Sequence, residues 1–190
     1  MKLLKIVIPC LLLGACMFGR SKAAKFYTSA PLATTAVSTD YAAIVGINKV
    51  QLPKYMDRPQ IVTQQKDSTQ VIISEFNRWV EQPSVLAARA LTNNLSTLLP
   101  SAQVKLNKSN GEQFDRIISV EVVHMVATLG DRAELVAWYT LKDNAKKTLV
   151  QQKFEASIQI GKTYDDLAKG YNQLLADLSQ EIAGKLLANQ

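Results

Sequence analysis

Leu149-Val150-Gln151-Gln152-Lys153-Phe154-Glu155-Ala156-Ser157-Ile158-Gln159-Ile160 is the cleanest period-two alternation in the chain. Val150, Phe154, Ala156, Ile158 and Ile160 fall on one side, and Gln151, Lys153, Glu155, Ser157 and Gln159 on the other. Only Gln152 breaks the apolar face. A strand so patterned has one face in a core and one in water, as antiparallel sheets do. Thr163 follows, with Asp166 three residues on, as an acid-terminated capping box. Tyr164, Leu167, Ala168, Tyr171, Leu174, Leu175, Leu178, Ile182 and Leu186 then recur at helical spacing. The apolar stripe of that helix needs a sheet to cover, and the apolar face of the strand needs a helix.

The residues upstream supply the rest of the layers. Arg116–Ala127 and Ala133–Lys142 alternate in the same way and predict two more strands of a meander. His124 falls on the apolar side with Ile118, Val120, Val122 and Val126. Pro83-Ser84 starts a helix that Pro100 stops, with Ala87, Leu91, Leu95 and Leu98 on one face. Shorter strands are predicted over Phe26–Thr28, Tyr41–Leu52 (with a bulge between Ile47 and Val50), Gln60–Gln64, Gln70–Ile73 and Ala102–Leu106. A turn is predicted over Asn107–Gly111. Gly170 and Gly184 should each weaken the last helix by about 1 kcal/mol relative to Ala. The layout predicts one α+β domain over 26–190: a mostly antiparallel sheet with two long amphipathic helices packed on one face.

The N-terminus is an export signal. Met1-Lys2-Leu3-Leu4-Lys5 is a basic start, Ile6–Leu13 an apolar run too short to span a bilayer, and Gly14-Ala15-Cys16 a small-residue end. Leu13-Gly14-Ala15-Cys16 resembles the lipobox of bacterial lipoproteins. On that resemblance residues 1–15 are a signal peptide, Cys16 carries the acyl chains, palmitate among them, and 16–25 is a tether. The other reading is an ordinary cysteine with cleavage after Ala24. From Cys16 to Phe26 the chain reaches at most roughly 35 Å. Cys10 and Cys16 are the only cysteines, so the exported domain folds without a disulfide. The net charge is +6, and loss of Lys2 and Lys5 with the leader leaves +4. Export removes nucleic acid as a partner, and the scattered charge reads as a solvated surface.

Catalytic patterns are lacking. His124 is the single histidine, so a triad would have to use it, and no Gly-x-Ser-x-Gly elbow, phosphate loop or metal-ligand spacing accompanies it. The expectation is no enzyme, no metal and no cofactor beyond the lipid on Cys16. Two stretches stand out instead. Leu52-Pro53-Lys54-Tyr55-Met56-Asp57-Arg58-Pro59 is a turn stiffened by two prolines. Leu52, Pro53, Tyr55, Met56, Arg58 and Pro59 are either a pre-organised partner-binding surface or a lid folded onto the core, with Asp57 and Arg58 as a surface ion pair. Phe76, Arg78 and Trp79 form the entry to the first helix, either as core or as a partner-facing hot spot.

In this order the pieces resemble one family. They are the lipobox, Phe26-Tyr27, Val45-Gly46-Ile47, Leu52-Pro53, Tyr55-Met56-Asp57-Arg58-Pro59-Gln60-Ile61-Val62, Glu75-Phe76-Asn77-Arg78-Trp79-Val80-Glu81 and the terminal helix with Leu178–Ala183. The family is that of the auxiliary lipoproteins of ABC-type transport systems, the paraquat-inducible protein C (PqiC)-like lipoproteins. Met56 and Asn77 stand where members often carry Leu and Asp. The resemblance implies a periplasm-facing lipoprotein of the outer membrane, since Met17 is not the Asp of inner-membrane retention. Its partner would be an MCE (mammalian cell entry)-type lipid transport protein, with a second copy of the chain as a further partner. It would act as a docking component or, alternatively, as a lipid carrier with its own apolar cavity.

Overall fold

The computed structural model describes residues 22–30, 32, 35–108 and 112–190. The leader, Cys16 and the first part of the tether lie outside the described residues, as does the end of the turn expected over 107–111. The elements are β1 (Lys25–Tyr27), β2 (Ile44–Ile47), β3 (Gln60–Gln64), β4 (Val71–Trp79), α1 (Pro83–Leu98), β5 (Gln103–Leu106), β6 (Arg116–Ala127), β7 (Arg132–Asp143), β8 (Thr148–Gln159) and α2 (Tyr164–Ala188).

The meander forms as its alternation requires. β6, β7 and β8 pair antiparallel over nearly their whole lengths. Their inward residues Ile118, Val120, Leu135, Ala137, Tyr139, Leu141 and Phe154 are buried under the helices, with Leu91, Leu95 and Leu98 of α1 and Leu167, Leu174 and Leu178 of α2. Gln152, the break in the apolar face, is accounted for: its Nε2 donates to Glu181 Oε1 at 3.1 Å, and the Tyr139 hydroxyl donates to the same oxygen at 2.8 Å. Burial, then the Glu181 hydrogen bond, raises the Tyr139 pKa.

The single sheet of the sequence reading is two mixed sheets, a five-stranded one in order β5-β2-β6-β7-β8 and a three-stranded one in order β1-β4-β3. β2 runs parallel to both β5 and β6, and β1 parallel to β4. Parallel partners must be joined by crossovers, here through the β3–β4 hairpin and α1, and local periodicity does not encode them. β2 stops at Ile47, where the bulge was expected. Beyond it Gln51 forms a single bridge to Glu121. β4 runs on through Glu75–Trp79 because β1 pairs with Asn77, Arg78 and Trp79. Between Ile73 and Arg78 four residues of β4 oppose only Ile61 of β3, and Ser74 Oγ closes this bulge by accepting from Asn77 N (3.0 Å) and Nδ2 (2.9 Å).

A second bulge corrects the placement of His124. The β6–β7 register shifts between Val122 and His124, so the inward phase passes from Val122 to Met125 and Ala127. His124 is thereby turned off the apolar side. Its side chain is 39% exposed, with Nε2 3.7 Å from Glu134 Oε2.

The α2 capping box is complete: Thr163 Oγ1 accepts from Asp166 N at 3.1 Å, and Asp166 Oδ2 accepts from Thr163 N at 3.0 Å. The Thr163 hydrogen bonds hold the Asp166 carboxyl below its ordinary range. The box is therefore intact above that range and lost as pH falls through the depressed value. The two helix glycines differ in kind. A Cβ on Gly170 would stand 2.7 Å from Ile160 Cγ2, whereas one on Gly184 would meet nothing within 4 Å. Gly184→Ala should therefore stabilise the protein by about 1 kcal/mol. Gly170→Ala makes the same gain but incurs about 1–3 kcal/mol of overpacking, so its net effect should be destabilising. Urea unfolding of the two variants checks the opposite signs.

Candidate functional site

The proline-bounded turn is built on its own backbone. Pro53 O accepts from Met56 N at 2.9 Å and Asp57 N at 3.1 Å, Arg58 N donates to Met56 O at 2.8 Å, and Trp79 N donates to Pro59 O at 2.6 Å. Its side chains divide between the two readings. Met56 is buried, Leu52, Pro53 and Arg58 are half-buried, and Tyr55 and Pro59 are exposed. Arg58 Nε donates to Gln60 Oε1 at 3.4 Å.

Asp57 does something the sequence reading missed. Helix α1 begins at Pro83 after Gln82, which makes no side-chain cap, and its first turn carries no acid. Asp57 supplies the cap from across the fold, Oδ1 accepting from Ser84 N and Oδ2 from Ser84 Oγ, both at 3.0 Å. A carboxylate at this end also meets the positive pole of the helix dipole. The surface ion pair expected between Asp57 and Arg58 is absent among the described residues. The signal was there: a helix opening Gln-Pro-Ser without its own acceptor must borrow one.

Phe76, Arg78 and Trp79 lie on β4 and not in the cap region, which begins at Gln82. Trp79 is buried and stacks on Tyr171 of α2 at 6.2 Å between ring centroids, 26° from parallel. The Tyr171 hydroxyl donates to Met125 O at 3.3 Å, and burial raises its pKa. Beside this pair, Pro83, Leu86, Ala87, Met125 and Leu175 leave an apolar crevice of about 20 Å³. Arg78 is half-buried, in register with Phe26 and Gln60. Phe76 is exposed, with Lys22 Nζ 5.7 Å above its ring.

Exposed apolar side chains gather on this small sheet. Phe26, Val71, Ile72, Ile73, Phe76 and Val80 are each 37–62% exposed, six of the ten large hydrophobic residues so placed among the described ones. The run Val71-Ile72-Ile73 was readable as apolar on both faces of a short strand, a pattern that needs cover on both sides. Among the described residues no three His, Cys, Asp or Glu side chains gather as a metal site, and no helix is long and apolar enough to cross a membrane.

The molecule is thus a single-domain α+β protein of two mixed sheets whose distinctive surface is apolar. The chain belongs to the family described as ABC-type transport auxiliary lipoprotein component, whose model matches residues 27–183. This is the family its motifs resemble. Two solved structures share the fold. One, described as an uncharacterized protein, is 19% identical, with a TM-score of 0.71 over 87% of this chain and 99% of its own. The other, from Xanthomonas campestris and of the family DUF330, is 12% identical, with a TM-score of 0.69 over 85% of this chain and 93% of its own. No curated protein matches the sequence.

The turn and β4 make separable contributions to stability. Asp57→Ala should cost about 1 kcal/mol for the lost cap, and Trp79→Ala about 3–5 kcal/mol for a buried aromatic. Tyr55→Ala, at an exposed site, should stay within about 0.5 kcal/mol. Denaturant midpoints of the three variants test this order; a Tyr55→Ala loss as large as that of Trp79→Ala would make Tyr55 part of the lid.

Proposed function

We propose that this protein is a non-catalytic docking component of an ABC/MCE-type intermembrane lipid transport system. It is held on the periplasmic side of the outer membrane by acyl chains on Cys16. Membership of the transport auxiliary lipoprotein family supports the transport role. The observation that carries the docking role is the set of apolar side chains left exposed on both faces of the small sheet and at its end, Phe26, Val71, Ile72, Ile73, Phe76 and Val80. Apolar side chains bare on both faces of a short sheet call for cover, which a partner would supply. Tyr55, exposed on the stiff Leu52–Pro59 turn whose Pro59 carbonyl accepts from Trp79 N, is the aromatic that the turn would add to that surface. The carrier alternative needs an apolar cavity. The crevice beside Trp79 and Tyr171 holds about 20 Å³, against about 300–1,000 Å³ in typical ligand pockets.

Two measurements test the reading. Ile72→Thr with Ile73→Thr keeps β-branched residues in the strand, so the melting temperature should stay put while capture of the MCE-type partner in a pull-down is lost. Capture at the wild-type level would remove the small sheet from the docking surface, and stoichiometric phospholipid in the mass spectrum of the purified domain would favour the carrier. Cys16→Ala should leave the chain unacylated and in the soluble fraction, because two or more acyl chains are what make anchoring durable. Unchanged membrane association and mass would refute the anchor.

A further inference from the structure

The helices cover one face of the five-stranded sheet, and the other carries a hollow. Asn48, Lys49, Gln51, Ser119, Glu121, Val123, Trp138, Thr140 and Gln151 line an open space of about 480 Å³. Its residues stand in rows across the strands. Glu121 is bridged to Gln51 on one side and paired with Trp138 on the other; Ser119 pairs with Thr140, and Thr140 with Gln151. The row Gln51-Glu121-Trp138-Lys153 crosses three inter-strand steps, about 14 Å, and Gln151 ends the neighbouring row through Thr140 and Ser119.

Two features separate this hollow from an ordinary wet face. Trp138 is 42% exposed on it, beside Val123 at 51%, and a large indole is costly to leave in water. Its polar groups are also divided. Asn107 Nδ2 donates to Asn48 Oδ1 and Asn48 Nδ2 to Ser119 Oγ, both at 2.8 Å, which fixes one wall as a chain of amides and a hydroxyl. The side chains of Gln51, Glu121, Thr140 and Gln151 have no hydrogen-bond partner among the described residues and line the same hollow as the indole. The lining charges cancel, Lys49 against Glu121, and Lys153, which pairs across from Trp138, is neutralised by its own ion pair with Glu155.

That inventory selects among ligand chemistries. An acyl chain would leave four polar groups unsatisfied, at the expense that desolvated polar groups carry. A phosphate or another anion would find one cation and a facing carboxylate. An uncharged sugar matches on each count: its axial C–H face lies on an indole, and its hydroxyl and acetamido groups both donate and accept, as the amides, hydroxyl and carboxylate here require. A β-1,4-linked glycan is a flat ribbon and suits a sheet face, whereas an α-1,4 chain coils away from it.

We infer that the outer face of the five-stranded sheet binds a neutral β-1,4-linked N-acetylhexosamine glycan, stacked on Trp138 and hydrogen-bonded by Gln51, Glu121, Thr140 and Gln151. This surface is separate from the small sheet, so the inference stands independently of the docking role.

The experiment is a titration of the folded domain with triacetylchitotriose, followed by calorimetry and tryptophan emission, with maltotriose and inorganic phosphate as comparisons. The expected result is saturable chitotriose binding with a change in emission, since Trp138 is exposed while Trp79 is buried. Trp138→Ala should weaken it at least tenfold with an unshifted melting temperature. Should Trp138→Ala fail to fold, Glu121→Gln with Gln151→Ala keeps the indole and should weaken binding by a similar factor. Absence of binding at tens of millimolar, binding unchanged in the variants, or equal binding of maltotriose or phosphate would each overturn the inference.

Discussion

The parity of the pleat is the constraint on which this structure rests. In β6, β7 and β8 every second side chain must fall beneath the helices, and a single residue of slip would exchange the core for the solvent face. The chain keeps that parity for most of the meander and shifts register twice, at the end of the β7–β8 ladder beside Leu149 and at the β6 bulge next to Val123. There the inward series passes from Val122 to Met125, and His124 is released to the solvent side. Where the inward series includes a polar residue, a partner has been provided: Gln152 and Tyr139 meet at Glu181 of the covering helix. Both outcomes follow from one rule. A residue on the helix side is apolar or paired, and one that is neither is turned out.

Features carried by neighbouring residues were legible in the sequence. The alternation of Leu149–Ile160, the stripe of the last helix and the Thr163–Asp166 box each repeat within a few positions, and the structure has them where the pattern puts them. Features carried by distant residues were not. Nothing in Lys25-Phe26-Tyr27 announces a parallel partner fifty residues away, and without it Glu75–Trp79 has no evident reason to be a strand. Asp57 reads as a loop acid until Ser84 is beside it. The turn from Leu52 to Pro59 was legible as stiff, but which of its side chains point inward depends on β4 and α1 and not on the turn. The split between buried Met56 and exposed Tyr55 is therefore a tertiary fact.

The surfaces of the domain are differentiated. The helix-facing side of the large sheet is filled, its outer side is polar with one open indole, and the small sheet is apolar on its exposed positions. A domain that had only to remain folded and dissolved would have less reason to leave aliphatic residues bare on a short sheet, where an unprotected edge invites pairing.

The strand at the start of the described chain has a mechanical consequence. β1 lies parallel to β4, with Lys25, Phe26 and Tyr27 beside Asn77, Arg78 and Trp79. A load drawn along that strand's axis from the residues before Lys25 would strain all three pairs together, in shear, and would not open them one at a time. It would pass through Trp79 into Tyr171 and the long terminal helix. The residues before Lys25 and the centre of the core are thus in series, and a short strand can serve as a grip for whatever pulls on that end.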